Sequence, residues 1–439
     1  MRAAIRSGML QEGTKMPPVR ELAWQLGITP GTVARAYKLA AEEGLVETGV
    51  GRGTFVSGGL KTEGAPPVPL ISDDVMGELD FRATRVPDTG QGAVIRRVMA
   101  ELAQSGTLDL TDYPDDREAR AAVTQWVSEA RVGRFGPEDV AMSLGAQSAL
   151  NIVLQSVLHG SNPVILTEEL AYPGIRHAAR LLRARLIGLE MDDEGIRPDR
   201  LEEALRRHGG QVLVTSAEVH SPTTIRTTVE RRMEIARIAR QYQLQILEDD
   251  CHCITRNEAP GYRAICPERA WYVSALTKSV SAALRFGYII APREQAAMAR
   301  QVVQSSFYGP PQPSMGIATE LIRSGAAETI RAATEEAVKG QVQRAVNTLG
   351  RWDIRWREDA SFLWLRLPQG WRASRFDRAC TEAGIRIKPA DEFALADGQA
   401  PHAVRLTLNS SVGPDRAGAA LETISRLLSQ PPVSLEIGG

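Results

Sequence analysis

Cysteine is scarce in this 439-residue chain: Cys251, Cys253, Cys266 and Cys380 form neither a CxxC pair nor a framework of regular spacing. That excludes a disulfide-stapled fold and the usual spacing of a zinc site. Cys251-His252-Cys253 invites a metal. However, neighbouring residues on an extended segment point to opposite sides and no second ligand pair follows, so no metal is expected. Long apolar runs are missing too. No stretch reaches the roughly eighteen residues of a membrane helix. No secretory signal, repeat or low-complexity tract is visible either, which points to a reduced, cytoplasmic chain with no membrane partner. Neither sign of charge is in surplus: 52 Lys and Arg face 53 Asp and Glu, and the pI is near 6.6. The chain as a whole therefore does not advertise a polyanionic partner. What is present is 43% hydrophobic residues over a length sufficient for two or three domains.

Lys278 lies in Ser274-Ala275-Leu276-Thr277-Lys278-Ser279, with Asp249-Asp250 upstream and Arg285 downstream. Pyridoxal 5'-phosphate requires an amine to hold its aldehyde, a carboxylate to keep its pyridine nitrogen protonated, and a cation for its phosphate. Lys278, Asp249 and Arg285 are such a set. The run Leu244-Gln245-Ile246-Leu247 reads as a buried strand, so Asp249 leaves its C-terminal end, where α/β sheets place ligands. Tyr272 to Leu276 reads as the next strand, ending at the lysine. A surface lysine beside a solvated acidic pair is the competing reading, and the ordered recurrence of further pieces counts against it.

Ser143-Leu144-Gly145-Ala146-Gln147-Ser148 reads as a glycine turn opening a helix, whose free N–H groups at Ala146 and Gln147 suit a phosphate. Glu168-Glu169-Leu170-Ala171-Tyr172-Pro173-Gly174 follows the strand Pro163 to Leu166 and offers Tyr172 for stacking on a pyridine face. His220-Ser221-Pro222-Thr223-Thr224 follows the strand Gln211 to Thr215 and faces the same side. Arg405, in Val404-Arg405-Leu406-Thr407-Leu408, sits in an apolar alternation where an unpaired arginine is costly to bury. A carboxylate partner is expected for it, either from a ligand or from a salt bridge within the domain.

The first sixty residues are organised differently. Pro17 to Gly27 reads as a helix with Leu22, Ala23 and Leu26 on one face and Gly27 ending it. Thr29 is the expected N-cap and Pro30 the first residue of a second helix running to Gly44. Leu45 to Thr48, the turn Gly49 to Gly53 and Thr54 to Val56 then read as strand, turn and strand, making a winged helix-turn-helix. Up to Gly58 there are seven basic and five acidic residues, a modest surplus that suffices once a dimer pairs two such modules. Gly58 to Pro69 is a Gly/Pro-rich tether.

These motifs carry a resemblance. Arg20-Glu21-Leu22-Ala23, Gly31-Thr32-Val33-Ala34-Arg35-Ala36-Tyr37 and Gly51-Arg52-Gly53-Thr54-Phe55-Val56 resemble the DNA-binding domain of the GntR regulators. From about Phe81 the chain resembles a fold-type I aminotransferase of the class I/II group: an α/β fold with a mostly parallel sheet in a large domain and a smaller C-terminal α/β subdomain. The joined pattern is similar to the MocR subfamily. It implies a DNA-binding domain over 1–58, a linker over 59–80 and a pyridoxal phosphate-binding effector domain over 81–439.

The resemblance also implies roles. Lys278 is the Schiff-base lysine, Asp249 the pyridine-nitrogen partner, Arg285 a phosphate anchor with Ala146 and Gln147, Tyr172 the stacking ring and Arg405 the clamp for an effector carboxylate. Tyr113 matches the tyrosine that reaches the partner subunit's cofactor phosphate, so a homodimer is implied. Arg20, Thr29, Gly31, Thr32, Arg35 and the wing residue Arg52 face double-stranded operator DNA. Pro30 stands where an arginine is common, so one fewer phosphate or base interaction is expected there. Ser221 replaces the usual asparagine at the cofactor's ring hydroxyl, His252 is the candidate substitute for a missing tyrosine, and Ala275 removes a hydroxyl. Cofactor binding is expected to survive these changes better than fast transamination. The expected function is a transcriptional regulator sensing an amino acid or amine through an external aldimine. The alternatives are an active aminotransferase with an appended DNA-binding segment and a regulator sensing pyridoxal phosphate itself. Only Met1 to Gly8 precede Met9-Leu10, a short first helix for such a module, so a start upstream of Met1 or a truncated helix is expected.

Overall fold

The computed structural model describes residues 10, 13–42, 46–49, 53–56, 79–106, 113–256, 258–395, 400–408 and 413–431. It divides into two compact units, Met1–Val68 and Pro69–Gly439. In the first, helix Val19–Leu26 ends at Gly27, whose φ of 62° is a left-handed conformation that glycine adopts without a Cβ clash. Helix Pro30–Glu42 begins as the sequence implies, with Thr29 Oγ1 accepting from Thr32 N at 3.3 Å. Strands Val46–Gly49 and Gly53–Val56 pair antiparallel. Ala23, Val33, Tyr37, Ala40, Val46 and Val56 close a small core, and the Tyr37 hydroxyl donates to Pro17 O at 2.7 Å. Arg52 and the end of the second helix at Gly44 lie outside the described residues.

The second unit is built on a seven-stranded sheet in the order Val140–Ser143, Gly287–Ile290, Ala270–Ala275, Gln245–Asp249, Val212–Thr215, Val164–Glu168, Arg185–Leu189. Every neighbouring pair is parallel except the two made by Gly287–Ile290. Central strands such as Val212–Thr215 and Ala270–Ala275 are buried throughout, because helices cover both faces, which explains their continuous apolar runs. The sequence-based strands shift slightly: the one before the lysine stops at Ala275, leaving Lys278 in the following turn.

A second, four-stranded antiparallel sheet joins Ile354–Arg355, Phe362–Arg366, Ala403–Thr407 and Lys388–Pro389. It packs with helices Ala326–Leu349 and Pro414–Leu428 around Leu363, Val404, Leu406 and Ile424. The expected linker is corrected at its end. Leu79–Asp80 is a strand, parallel to Ile385–Arg386, because Leu79 N finds Gly384 O at 3.0 Å and the neighbouring Phe81 N finds Arg386 O at 2.8 Å. Residues 59–78 of that linker lie outside the described residues.

Candidate functional site

Six of the seven strands finish at one edge of the large sheet, and the antiparallel strand Gly287–Ile290 begins there. Topology thus gathers Gly145, Tyr172, Ser221, Asp249, Lys278 and Arg285, far apart in sequence, at the edge where such sheets bind ligands. Asp249 is the last residue of its strand, and its Oδ1 accepts from Cys251 N at 3.1 Å. Burial raises its pKa, the Cys251 contacts oppose this, and the carboxylate of Glu168 adds to the rise. Lys278 Nζ donates to Thr84 O at 2.7 Å. Its pKa falls to about 8, chiefly through burial, with Arg405 and Arg285 acting in the same direction against Cys251 and Asp249.

Side-chain alternation along the strand explains why Asp249 faces this pocket. Its neighbours Glu248 and Asp250 turn away and are gripped by buried Arg131, at 2.5 and 3.3 Å. Tyr272 donates its hydroxyl to Asp250 Oδ2 at 2.9 Å. Glu218 extends the cluster with Arg232 at 2.8 Å, Arg226 at 2.5 Å, Arg357 at 3.5 Å and Arg131 at 3.8 Å. Sequence reasoning missed Arg131 and Glu218. Only the acidic run Glu248-Asp249-Asp250 hinted that something cationic must lie behind the strand.

Gly145 has φ 92° and caps helix Ala146–Val157, and a Cβ there would lie 2.8 Å from Arg285 Nη2. The bare glycine lets the guanidinium lie against the turn, where it donates to Leu144 O at 2.6 Å. Arg285 is itself at φ 49° and is exposed. Arg285 thus lies beside the start of helix Ala146–Val157, where free N–H groups and a cation together suit an anion. Tyr172 is the N-cap of helix Pro173–Leu181. Its pKa is raised by burial, then by Cys251 and Asp249. Gln147 Nε2 donates to Gly174 O at 3.3 Å, joining the two helix starts.

Arg405 is 5% exposed and lies between the rings of Phe362 and Phe393, 5.2 and 4.9 Å from their centroids. It donates to Ser221 Oγ and to Arg82 O, both at 2.7 Å. No carboxylate among the described residues pairs with it, so the internal salt bridge left open by the sequence is not what the fold makes. Burial lowers its pKa to about 10, against the pull of Glu392 and Tyr172. Thr224, where the family pattern has glycine, adopts φ 60°. The Ser221–Pro222 peptide is cis. His220 is locked between Thr223 Oγ1 at 2.6 Å and Leu170 O at 2.9 Å.

His252 packs edge-on to Phe362 at 5.1 Å, and its buried Nδ1 has no hydrogen-bond partner among the described residues. Burial, then Lys278, Arg405 and His220, keep the ring neutral. Cys251 and His252 lie in a turn rather than on the extended segment expected, yet the thiols still diverge. Cys251 interacts with Asp249 and Lys278, whereas Cys253 Sγ donates to Thr255 O at 3.5 Å. Buried polar atoms without hydrogen-bond partners among the described residues recur along this edge: Thr84 Oγ1, Gln147 Oε1, Thr224 Oγ1, His252 Nδ1, Thr277 Oγ1 and Arg405 Nε. An amine, a recessed carboxylate, a cation beside a helix start and these orphaned atoms fit a polar, phosphorylated, carbonyl-bearing cofactor.

Two sets of expected residues lie elsewhere. Tyr113 is 76% exposed and stacks on Tyr308 at 5.7 Å. Its neighbours Thr111 and Asp112 lie outside the described residues. In the first unit Arg20, Thr29, Gly31, Thr32 and Arg35 are all exposed around the helix-turn-helix.

Comparison with known proteins defines the class. The profile of "Aminotransferase class I and II" matches residues 81–424, and that of "Bacterial regulatory proteins, gntR family" matches residues 1–56. The chain is 24% identical to an uncharacterized HTH-type transcriptional regulator, YdeF, of Bacillus subtilis, over 97% of this chain and 92% of that one. It is also 24% identical to the probable rhizopine catabolism regulatory protein MocR of Rhizobium meliloti, over 71% of this chain and 67% of that one. The structure of the alpha-aminoadipate aminotransferase LysN from Thermus thermophilus superposes with a TM-score of 0.71 at 23% identity, over 81% of this chain and 92% of that one. The chain belongs to the class I and II aminotransferase family and, with its GntR domain over residues 1–56, resembles the HTH-type regulators among these relatives, MocR included. It is a DNA-binding transcriptional regulator whose cofactor is pyridoxal phosphate.

Proposed function

We propose that this regulator senses an amino acid or amine at Lys278 and that the ligand's presence sets how its two DNA-reading modules are presented. When bound, pyridoxal phosphate supplies an aldehyde for amines and a protonated ring that withdraws electrons. Lys278 would hold it covalently and Asp249 would keep a carboxylate at its ring nitrogen. Tyr172 would cover a ring face, and the N–H groups of Ala146 and Gln147 would take the phosphate with Arg285. His252 and Ser221 would border the ring oxygen. Arg405 would bind the carboxylate of the effector, and Tyr113 would act across a homodimer. The protein would work in the cytoplasm on operator DNA.

The observation that carries this reading is the buried Arg405 guanidinium, which has no counter-ion among the described residues and is near enough to the lysine amine to lower its pKa. A buried cation in that condition is stabilised by an incoming carboxylate. Regulation then requires that the liganded pocket favour one arrangement of the chain over another.

The test has two readings on the full-length protein. Borohydride after loading should fix the cofactor onto Lys278, located by peptide mass, and Lys278→Ala should abolish the adduct. Promoter binding by the loaded protein should then change with a carboxylated amine, and Arg405→Ala should remove that response. No adduct on Lys278 would sink the proposal. An adduct with no amino-acid effect on DNA binding would favour the cofactor itself as the signal. The intact Lys278 and Asp249 pair favours one further reading, a working aminotransferase. Sustained turnover at about 1 per second or faster would decide for it.

A further inference from the structure

From the strand Leu79–Asp80 the chain crosses between two lobes of the second unit within a few residues. Up to Arg82 it belongs to the C-terminal lobe. Thr407 N donates to Phe81 O at 2.9 Å, and Arg82 O accepts from Arg405 Nη2 at 2.7 Å and Thr407 Oγ1 at 3.3 Å. Two residues later Thr84 O accepts at 2.7 Å from Lys278 Nζ, in the turn that follows strand Ala270–Ala275 of the large sheet. Residues 82–84 are thus held at one end by the proposed effector arginine and at the other by the proposed cofactor lysine.

We propose that residues 82–84 report whether the Lys278 amine is free, because Nζ cannot serve both Thr84 O and the cofactor's aldehyde carbon. This rests on the assignment of Lys278 as the attachment point. A free lysine amine donates its hydrogens wherever a carbonyl is presented. A nitrogen doubly bonded to carbon keeps at most one hydrogen and is fixed by its new bond. Attachment therefore releases Thr84 O, while Arg82 O stays on the C-terminal lobe. An amino compound that takes over the aldehyde reverses this. The carbon–nitrogen double bond passes from Nζ to the incoming nitrogen, two protons pass to Nζ, no redox partner is needed, and the freed amine returns to Thr84 O. The segment that continues the chain from the DNA-binding unit is gripped when effector is present and released when the lysine carries the cofactor.

Amide hydrogen exchange on the full-length protein tests this, read at residues 82–86 with the buried strand Val212–Thr215 as the folding control. The probe for the effector is aminooxyacetate, a carboxylated amine that captures aldehydes from lysine. Pyridoxal phosphate should speed exchange at residues 82–86 by roughly two- to tenfold, the equilibrium weight of one hydrogen bond. Aminooxyacetate should slow it again. Lys278→Ala, or Lys278→Met should the alanine variant fold poorly, should show the faster exchange with or without cofactor. Exchange unchanged by loading while the borohydride adduct on Lys278 forms would overturn the grip and leave the functional reading intact. Lys278→Ala and Lys278→Met exchanging as slowly as cofactor-free wild type would overturn it without reference to the cofactor at all.

Discussion

Burial beside Arg405 and Arg285 brings the Lys278 amine down to about 8. Only the neutral amine attacks an aldehyde, so attachment to cofactor-free protein should rise about tenfold per pH unit below 8 and level off above it. The absorbance change on mixing with pyridoxal phosphate would follow this. A rate still climbing at about pH 10, as for an ordinary lysine, would contradict the shielded environment. The same shift has a stability sign. The depressed pKa means that the folded state binds fewer protons than the unfolded state between the two values. The penalty of holding this lysine is therefore full below about 8 and fades as pH rises toward the ordinary lysine value. Residue identity was legible here because the cofactor's chemistry fixes three residue types. The hydrogen bond to Thr84 was not, since its partners stand 194 positions apart.

The strand Gln245–Asp249 depends on what lies behind it. Glu218 sits among four arginines, is fully buried, and has its pKa lowered by Arg232, Arg131 and Arg226 in spite of burial, the largest influence. Removing its charge leaves buried cations short of a partner, so Glu218→Gln should destabilise the second unit by about 3–5 kcal/mol, measurable by urea unfolding at neutral pH. The sign follows from the depressed pKa. The contribution of Glu218 is present above the ordinary carboxylate value and is lost as pH falls through the lower folded value. The wild-type and Glu218→Gln curves should therefore converge in acid. Equal stability at neutral pH would show the cluster to be replaceable. An expectation drawn from charge pattern alone could not have found this cluster, because its members come from five separated segments.

Across the whole molecule two units with separate cores divide the chemistry. Neutralising Arg20 or Arg35, both exposed on the helix-turn-helix, should therefore weaken binding to the promoter beside the protein's own gene and leave cofactor attachment unchanged. If the arginine meets a phosphate, its removal should flatten the salt dependence by about one unit of slope, whereas an arginine on a base edge would also relax sequence preference when removed. Gel shifts across a salt series, with a scrambled duplex as control, separate these outcomes. Binding unaltered in both variants would move the DNA-reading face away from these helices.

The sequence by itself determined the pieces whose chemistry is local. A helix needs its cap at Thr29 and its stop at Gly27, a glycine turn must open the helix at Ala146, and buried parallel strands must read as continuous apolar runs. The order of the aminotransferase-like motifs settled the fold class for the same reason, since each motif is a strand end or a helix start. Tertiary structure decided what depends on long-range closure. It turned Leu79–Asp80 from linker into strand by offering Gly384 O and Arg386 O as acceptors. It left Arg405 without a counter-ion among the described residues, where an internal salt bridge was equally open. It also set Arg82 and Thr84 between that arginine and Lys278. Backbone carbonyls carry no side-chain signature, so the residues that supply them to a site become visible only when the chain is folded.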